Sequence, residues 1–140
     1  MRFMMMIKSS PKTEAGILPD EKEFEAMGKF NAELIKAGVM LDGAGLQASS
    51  KGARVRFSRG KPSVIDGPFS EAKELVAGYW VIDVKSKEEA VEWAKRVPFD
   101  PDLAFGGEGE IEVRQFFENT DFGPAVEAHE RLTREARGDA

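Results

Sequence analysis

Strand patterns and helix patterns alternate along this chain in an order that few folds accommodate. Short apolar or alternating runs, each typical of a β-strand, lie at residues 2–8, 39–41, 53–58, 63–66, 75–84 and 110–117. Amphipathic helix patterns at residues 20–37 and 86–97 follow the first strand and the long strand at 75–84. Without the hairpin predicted around Arg59-Gly60, this is the split βαβ order of the ferredoxin-like fold. We therefore predict an α+β domain, ferredoxin-like βαββαβ with an inserted β-hairpin.

Short motifs predict the ends and the buried faces of both helices. Asp20 and Glu23 predict a capping box at the start of the first helix, and Ser86 and Glu89 predict another at the second. Gly38 lies where a C-cap glycine belongs, and we expect Pro98 to end the second helix. The expected buried positions are Phe24, Met27, Phe30 or Asn31, and Leu34 in the first helix, and Ala90, Trp93, Ala94 and Val97 in the second.

Two helices on one face of such a sheet leave its other face bare. Large side chains occupy that face, namely Tyr79 or Trp80 and Phe116 or Phe117. An exposed apolar sheet needs a cover, and a second copy of the chain is the most economical one. We therefore predict a homodimer whose two sheets face each other, which is a dimeric α+β barrel.

The composition excludes several classes of function. The chain has no cysteine, so it has no disulfide, thiolate nucleophile or cysteine-based zinc site. A formal net charge of -5 argues against direct nucleic-acid binding. No apolar run approaches the roughly 20 residues of a membrane span, so we expect a cytoplasmic protein without a membrane partner. Gly43-Ala44-Gly45 is interpreted as a strand-end turn, and Asp100-Pro101-Asp102 has too few ligands for a cation; we expect no cofactor and no metal.

The loop after the hairpin is the first candidate site. Asp66-Gly67-Pro68 has the composition of a tight turn, which alone can account for these three residues. Glu71, Lys73 and Glu74 follow at once, and they are either solvated charges or part of a site. A carboxylate beside a lysine at a cleft can have a displaced pKa and transfer protons. Asp66, Glu71 and Lys73 are therefore the candidate catalytic residues, and Glu74 is a candidate for substrate binding.

Three further residues on the strands are candidates for substrate binding. Arg54 and Arg114 alternate with apolar residues and are either solvent-facing, paired with glutamate, or directed into a cleft. In a cleft, the planar guanidinium of Arg114 is suited to an anionic group. Tyr79 can place its hydroxyl at the same mouth, or can be a core ring with its hydroxyl at the rim. His129, the only histidine, lies among charged residues of a predicted tail helix that begins at Pro124, where we expect a solvated position.

A nine-residue run followed by a strand start carries a family resemblance. Asp66-Gly67-Pro68-Phe69-Ser70-Glu71-Ala72-Lys73-Glu74, with Gly78-Tyr79-Trp80, resembles the signature of the DGPF-type branch of the YCII-related family. Similar segments lie at residues 4–8, 45–47, 90–98 and 111–114. The resemblance covers residues 1–118 as a ferredoxin-like domain and leaves residues 119–140 as a helical tail.

The resemblance implies a dimeric α+β barrel and little about activity. Members are mostly of unknown function, and some are encoded beside or fused to extracytoplasmic-function sigma factors. The broader family has a suspected His–Asp pair in a dimer cleft. Asp66 matches the aspartate, but residues 1–118 contain no histidine, so the pair does not transfer to this chain.

Two functions of different classes follow. The first is a small-molecule-binding dimer, as an enzyme doing metal-free acid–base chemistry on a small polar or anionic metabolite. Asp66 or Glu71 would move the proton, while Lys73 and Arg114 would stabilise negative charge. The second is a non-catalytic ligand-sensing or regulatory module that docks on a sigma factor. The sequence leaves open whether the protein is an enzyme.

Overall fold

A computed structural model describes residues 1–99 and 108–138. One sheet contains four strands: β1 (Arg2–Lys8), β2 (Met40–Gly45), β5 (Val76–Asp83) and β6 (Ile111–Gln115). A separate hairpin consists of β3 (Ala53–Ser58) and β4 (Lys61–Asp66). The helices are α1 (Pro11–Glu14), α2 (Glu21–Lys36), α3 (Lys87–Ala94) and α4 (Ala125–Ala136).

The sheet order confirms the predicted fold class. The strands lie in the order β2-β5-β1-β6, and each neighbouring pair is antiparallel. β5 lies between β1 and β2, and β1 lies between β5 and β6. Each strand–helix–strand unit therefore joins two strands that are separated by a third, as in the ferredoxin-like βαββαβ fold. The β3–β4 hairpin is inserted between β2 and β5 and turns at Arg59-Gly60, where both residues have positive φ. This is the hairpin expected at residues 53–66.

The core lies between the sheet and the two helices α2 and α3. The most deeply buried side chains from the sheet are Phe3, Met5, Trp80 and Ile82, and from the helices Phe30, Leu34 and Ala90. Trp80 makes an edge-to-face contact with Phe30, with ring centroids 5.2 Å apart. Its indole Nε1 donates a hydrogen bond of 2.7 Å to Asn31 Oδ1, so the one polar atom of the ring is satisfied.

The first helix matches its prediction except at Phe24. The capping box is present, since Glu23 N donates to Asp20 Oδ1 at 2.8 Å and Asp20 N to Glu23 Oε1 at 3.3 Å. Gly38 follows the helix with φ +73°, as a C-terminal glycine should. The prediction that Phe24 is buried is wrong, because its side chain is 72% exposed. It lies about 120° around the helix from Phe30, outside the buried stripe.

The second helix is shorter than predicted. It ends at Ala94, four residues before Pro98, so the prediction that Pro98 ends it is wrong. Arg96 N and Val97 N bond to carbonyls three residues back, which tightens the chain and turns Val97 into the core. The capping box is half formed: Ser86 caps Glu89 N at 3.1 Å, but Glu89 Oε2 accepts from Lys85 N instead.

The interpretation of Gly43-Ala44-Gly45 as a strand-end turn is wrong. All three residues belong to β2, and Gly43 pairs with Trp80 on β5. A Cβ at Gly43 would lie 3.0 Å from Trp80 Cδ1 and 2.9 Å from Met40 Cε. Close packing against the Trp80 ring and the end of the Met40 side chain therefore favours glycine here, and a turn of the chain does not.

The last helix belongs to the tail of the chain. The predicted tail helix is present as α4. The loop expected at residues 99–109 lies largely outside the described residues. In the part of the chain that the structure describes, no helix is long and apolar enough to cross a membrane.

Candidate functional site

The face of the four-stranded sheet that points away from the helices carries the best candidate site. Because side chains alternate along a strand, the positions between the core residues Phe3 and Met5, or Trp80 and Ile82, lie on this other face. We call it the open face. Its side chains are Met4, Met6 and Lys8 on β1, Tyr79 and Val81 on β5, Glu112 and Arg114 on β6, and Asp42 and Ala44 on β2. The structure thereby places Tyr79, and not Trp80, on this face.

Three charged residues form a group at the β1–β6 side of the open face. Lys8 Nζ lies 3.3 Å from Glu112 Oε1, and Arg114 Nη1 lies 3.2 Å from Glu112 Oε2. Hydrogen bonds from Arg114 and then Lys8 lower the pKa of Glu112 below its ordinary value of 4.5. The Arg114 side chain is 74% exposed, and only one of its nitrogens is hydrogen-bonded within the described residues. Its other donors remain available to a ligand.

A phenol–carboxylate pair stands at the opposite side of the open face. The Tyr79 hydroxyl donates a hydrogen bond of 3.3 Å to Asp42 Oδ2. The negative charge of Asp42 raises the pKa of Tyr79 above its ordinary value of 10.0, with desolvation and the hydrogen bond acting in the same direction. Tyr79 is therefore a neutral hydroxyl at physiological pH and can act as a hydrogen-bond donor.

Cross-strand register fixes the spacing of these two polar groups. Met6 pairs with Tyr79 on one side and with Glu112 on the other. Tyr79 and Glu112 are thus two strands apart, which is about 10 Å. Met4 lies in the next row, between Val81 and Arg114. The open face is accordingly an apolar floor of methionine and valine between two polar edges.

The Asp-Gly-Pro-Phe loop is held by contacts that have a structural role. Phe69 N donates to Ser49 Oγ at 2.9 Å, and Ser49 Oγ in turn bonds to the Glu14 carboxylate of α1. A Cβ at Gly67 would lie 1.8 Å from Ser49 O. Glycine is therefore required there by close backbone approach, and the loop is fastened to the turn that precedes β3.

The structure does not gather the predicted catalytic residues into one group. Asp66 ends β4, Glu71 precedes a short 3₁₀ turn, and Lys73 lies within that turn together with Glu74. All four are exposed, and within the described residues no hydrogen bond or ion pair joins their side chains to any other group. Arg54 lies over the Phe69 ring, with its guanidinium carbon 3.8 Å from the ring centroid. It packs on the loop and does not reach Arg114 or Tyr79 by any contact that the structure describes.

The remaining features of the sequence analysis are His129 and Asp100-Pro101-Asp102. His129 is exposed on α4. Asp100-Pro101-Asp102 lies outside the described residues. Across residues 1–99 and 108–138, no group of three or more histidine, aspartate or glutamate side chains is arranged to hold a metal ion.

Sequence reasoning missed Lys8 and Asp42 on the open face, and Glu14 and Ser49 beneath the loop. A signal existed for Lys8, because it follows Met4 and Met6 at the period of two that defines one strand face. Asp42 lies just beyond the strand predicted at residues 39–41, so strand alternation was not applied to it. Glu14 and Ser49 carry no local signal, since their role arises from a contact between segments 35 residues apart.

Comparisons with known proteins show what this chain is similar to. The profile of the YCII-related domain matches residues 1–118. An uncharacterised protein of Rhizobium meliloti (strain 1021) is 33% identical over 95 residues, which are 68% of this chain and 73% of that protein. A solved structure of 5-chloro-2-hydroxyhydroquinone dehydrochlorinase from Burkholderia phenoliruptrix AC1100, in complex with 2,5-dihydroxybenzoquinone, shares 13% identity and a TM-score of 0.41. That similarity covers 86% of this chain and 98% of the other. By its sequence, this chain belongs to the YCII-related family.

Proposed function

We propose that this protein is a homodimeric α+β barrel that binds a small polar or anionic molecule on the open face of its sheet. The observation that carries the proposal is the open face itself. Met4, Met6 and Val81 form its apolar floor. At its two edges lie Arg114, which has hydrogen-bond donors free for a ligand, and the neutral phenol of Tyr79. Binding sites for small molecules have this composition, with few polar groups that converge over apolar side chains.

The amount of accessible surface supports a dimer. One chain exposes 10254 Å². A folded monomer of 15.4 kDa is expected to expose about 7,200 Å². The chain therefore exposes about 3,000 Å² more than expected, and the interface of an obligate dimer, roughly 1,000–2,500 Å² for each subunit, would cover part of that excess. A second sheet packed over the open face would cover the methionines and turn the face into an enclosed cleft.

The chemistry of the edges favours a ligand with a planar anionic group. The Arg114 guanidinium presents parallel N–H donors that match the two oxygens of a carboxylate. Tyr79 can donate a hydrogen bond once its proton is turned from Asp42 to the ligand. Thioether side chains accommodate flat rings well, so Met4 and Met6 favour an aromatic or short unsaturated body. An aromatic carboxylate such as benzoate combines these features.

Calorimetric titration with benzoate, and with benzamide as the uncharged analogue of the same shape, tests the proposal. Wild-type protein should bind benzoate and not benzamide. Arg114→Ala should weaken benzoate binding at least tenfold, whereas Arg134→Ala, which removes an exposed arginine of α4, should leave it unchanged. Equal binding of both probes, or equal effects of both variants, would show that the open face is not an anion site.

Acid–base chemistry on the bound molecule is the finer part of the proposal. Asp66, Glu71 and Lys73 are its candidate catalytic groups, and Asp66→Asn tests them, because loss of turnover with unchanged binding is the signature of a proton-transfer residue. The alternative, a sensor that docks on an extracytoplasmic-function sigma factor, requires the same ligand site without turnover. Binding that occurs without any conversion of the bound compound would favour that alternative.

A further inference from the structure

The β3–β4 hairpin is an arm with an uncovered apolar face. Every residue of β3 is exposed, as are most of those in β4. Val55 pairs with Val64, and Phe57 with Pro62, so these four side chains line one face of the hairpin. A two-stranded hairpin with no cover is at best marginally stable in water. The apolar face therefore needs a partner surface.

The arm is also basic. Residues 53–66 contain four lysines and arginines and one carboxylate, Asp66, which gives the arm a formal charge of +3. The whole chain has a formal charge of -5, so the rest of the chain carries -8. A basic arm on an acidic protein is electrostatically complementary to that protein's own surface.

One surface of the chain has the matching character. Phe117 and Phe122 are both exposed, with ring centroids 5.0 Å apart. Residues 118–130, which contain Phe122, hold four carboxylates and no lysine or arginine. We call Phe117, Phe122 and these carboxylates the tail patch. It presents apolar rings rimmed by negative charge, where the arm presents apolar side chains rimmed by positive charge.

We propose that the arm of one copy packs on the tail patch of a second copy. Within one chain Glu118 of the tail patch is paired with Arg2, but the large apolar side chains of both surfaces stay exposed, and a second copy can cover them. A two-fold dimer would form this contact twice, once for each arm. The inference rests on the proposed dimer and adds a specific contact to it, at a place separate from the open face.

Three phenylalanines of equal exposure allow a matched test. Phe57 on the arm is 70% exposed, Phe117 on the tail patch 71%, and Phe24 on α2, outside both surfaces, 72%. Analytical ultracentrifugation should show a dimer whose dissociation constant rises at least tenfold in Phe57→Ser and in Phe117→Ser. Phe24→Ser should change it less than twofold. The dimer should also weaken as salt is raised, because the contact pairs opposite charges.

Cross-linking tests the contact directly, because the chain has no native cysteine. Phe57→Cys protein mixed with Phe117→Cys protein should form a disulfide-linked heterodimer on mild oxidation, while Phe57→Cys mixed with Phe24→Cys should not. If Phe57→Ser protein dimerises as tightly as wild type and no such cross-link forms, the arm contact is wrong, while the dimer itself is still supported. A wild-type protein that sediments as a monomer at micromolar concentrations would overturn both.

Discussion

Tyr79 is the residue whose state can be read most directly, because it is the only tyrosine of the chain. The charge of Asp42 raises the pKa of Tyr79, so an ultraviolet absorbance titration of tyrosinate should give a midpoint above 10.0. Asp42→Asn removes that charge and should lower the midpoint toward 10.0. The control is Asp83→Asn. Asp83 lies on β5 with Tyr79 but is paired with the N-terminal amine, so this change should leave the midpoint of Tyr79 unchanged. A wild-type midpoint at or below 10.0 would show that the phenol and carboxylate are not paired.

Glu112 should make stability depend on pH in the acid range. Its folded pKa lies below its ordinary value of 4.5, so its ion pairs contribute stability above that pH. The contribution is lost as the pH falls through the lowered folded value. Urea unfolding should therefore show wild type more stable than Glu112→Gln at neutral pH, with the difference shrinking below pH 4.5. Glu110→Gln is the control, and an equal difference at every pH would contradict the ion pairs.

At the residue scale, the sequence was informative where a side chain obeys strand alternation. Tyr79 and Arg114 were candidates because each stands on a strand pattern, and alternation placed Glu112 beside Arg114. Whether Tyr79 or Trp80 faced the helices could not be decided, since both are aromatic and only the register with Gly43 and Met5 selects between them. The catalytic roles of Asp66, Glu71 and Lys73 stay predictions.

Among the elements, the Asp-Gly-Pro-Phe loop gives the sharpest stability prediction. Gly67→Ala places a Cβ 1.8 Å from Ser49 O, so either the loop or the turn before β3 must move. We expect a loss of about 2–3 kcal/mol in the free energy of unfolding. Gly45→Ala, in β2, places its Cβ more than 4 Å from any group beyond its chain neighbours and should cost less than about 1 kcal/mol. Equal effects in urea unfolding would show that the loop is not fastened to Ser49.

Elements with local signals were predictable, and elements set by distant contacts were not. The Asp20 capping box, the hairpin turn at Arg59-Gly60 and the tail helix all depend on residues close in sequence, and all are present. The early end of α3 and the continuation of β2 through Gly43 depend on packing against other elements. Tertiary contacts override local preference at such places.

For the whole molecule, the order of elements was enough to predict the ferredoxin-like sheet. That topology has one helix-covered face, so the open face was foreseeable as well. The second copy of the chain that we expect to cover it stays a prediction. The proposed dimer explains three otherwise separate features: the half-buried methionines of the open face, the exposed arm, and the excess of accessible surface.

The methionines can report separately on the two faces of the sheet in binding experiments. Met4 and Met6 lie on the open face, while Met5 of the same strand and Met27 of α2 belong to the core on the other side. In a methyl NMR titration with benzoate, we expect the Met4 and Met6 signals to shift and those of Met5 and Met27 to stay in place. Shifts confined to Met5 and Met27, or no shift at benzoate concentrations that saturate the calorimetric signal, would contradict binding at the open face.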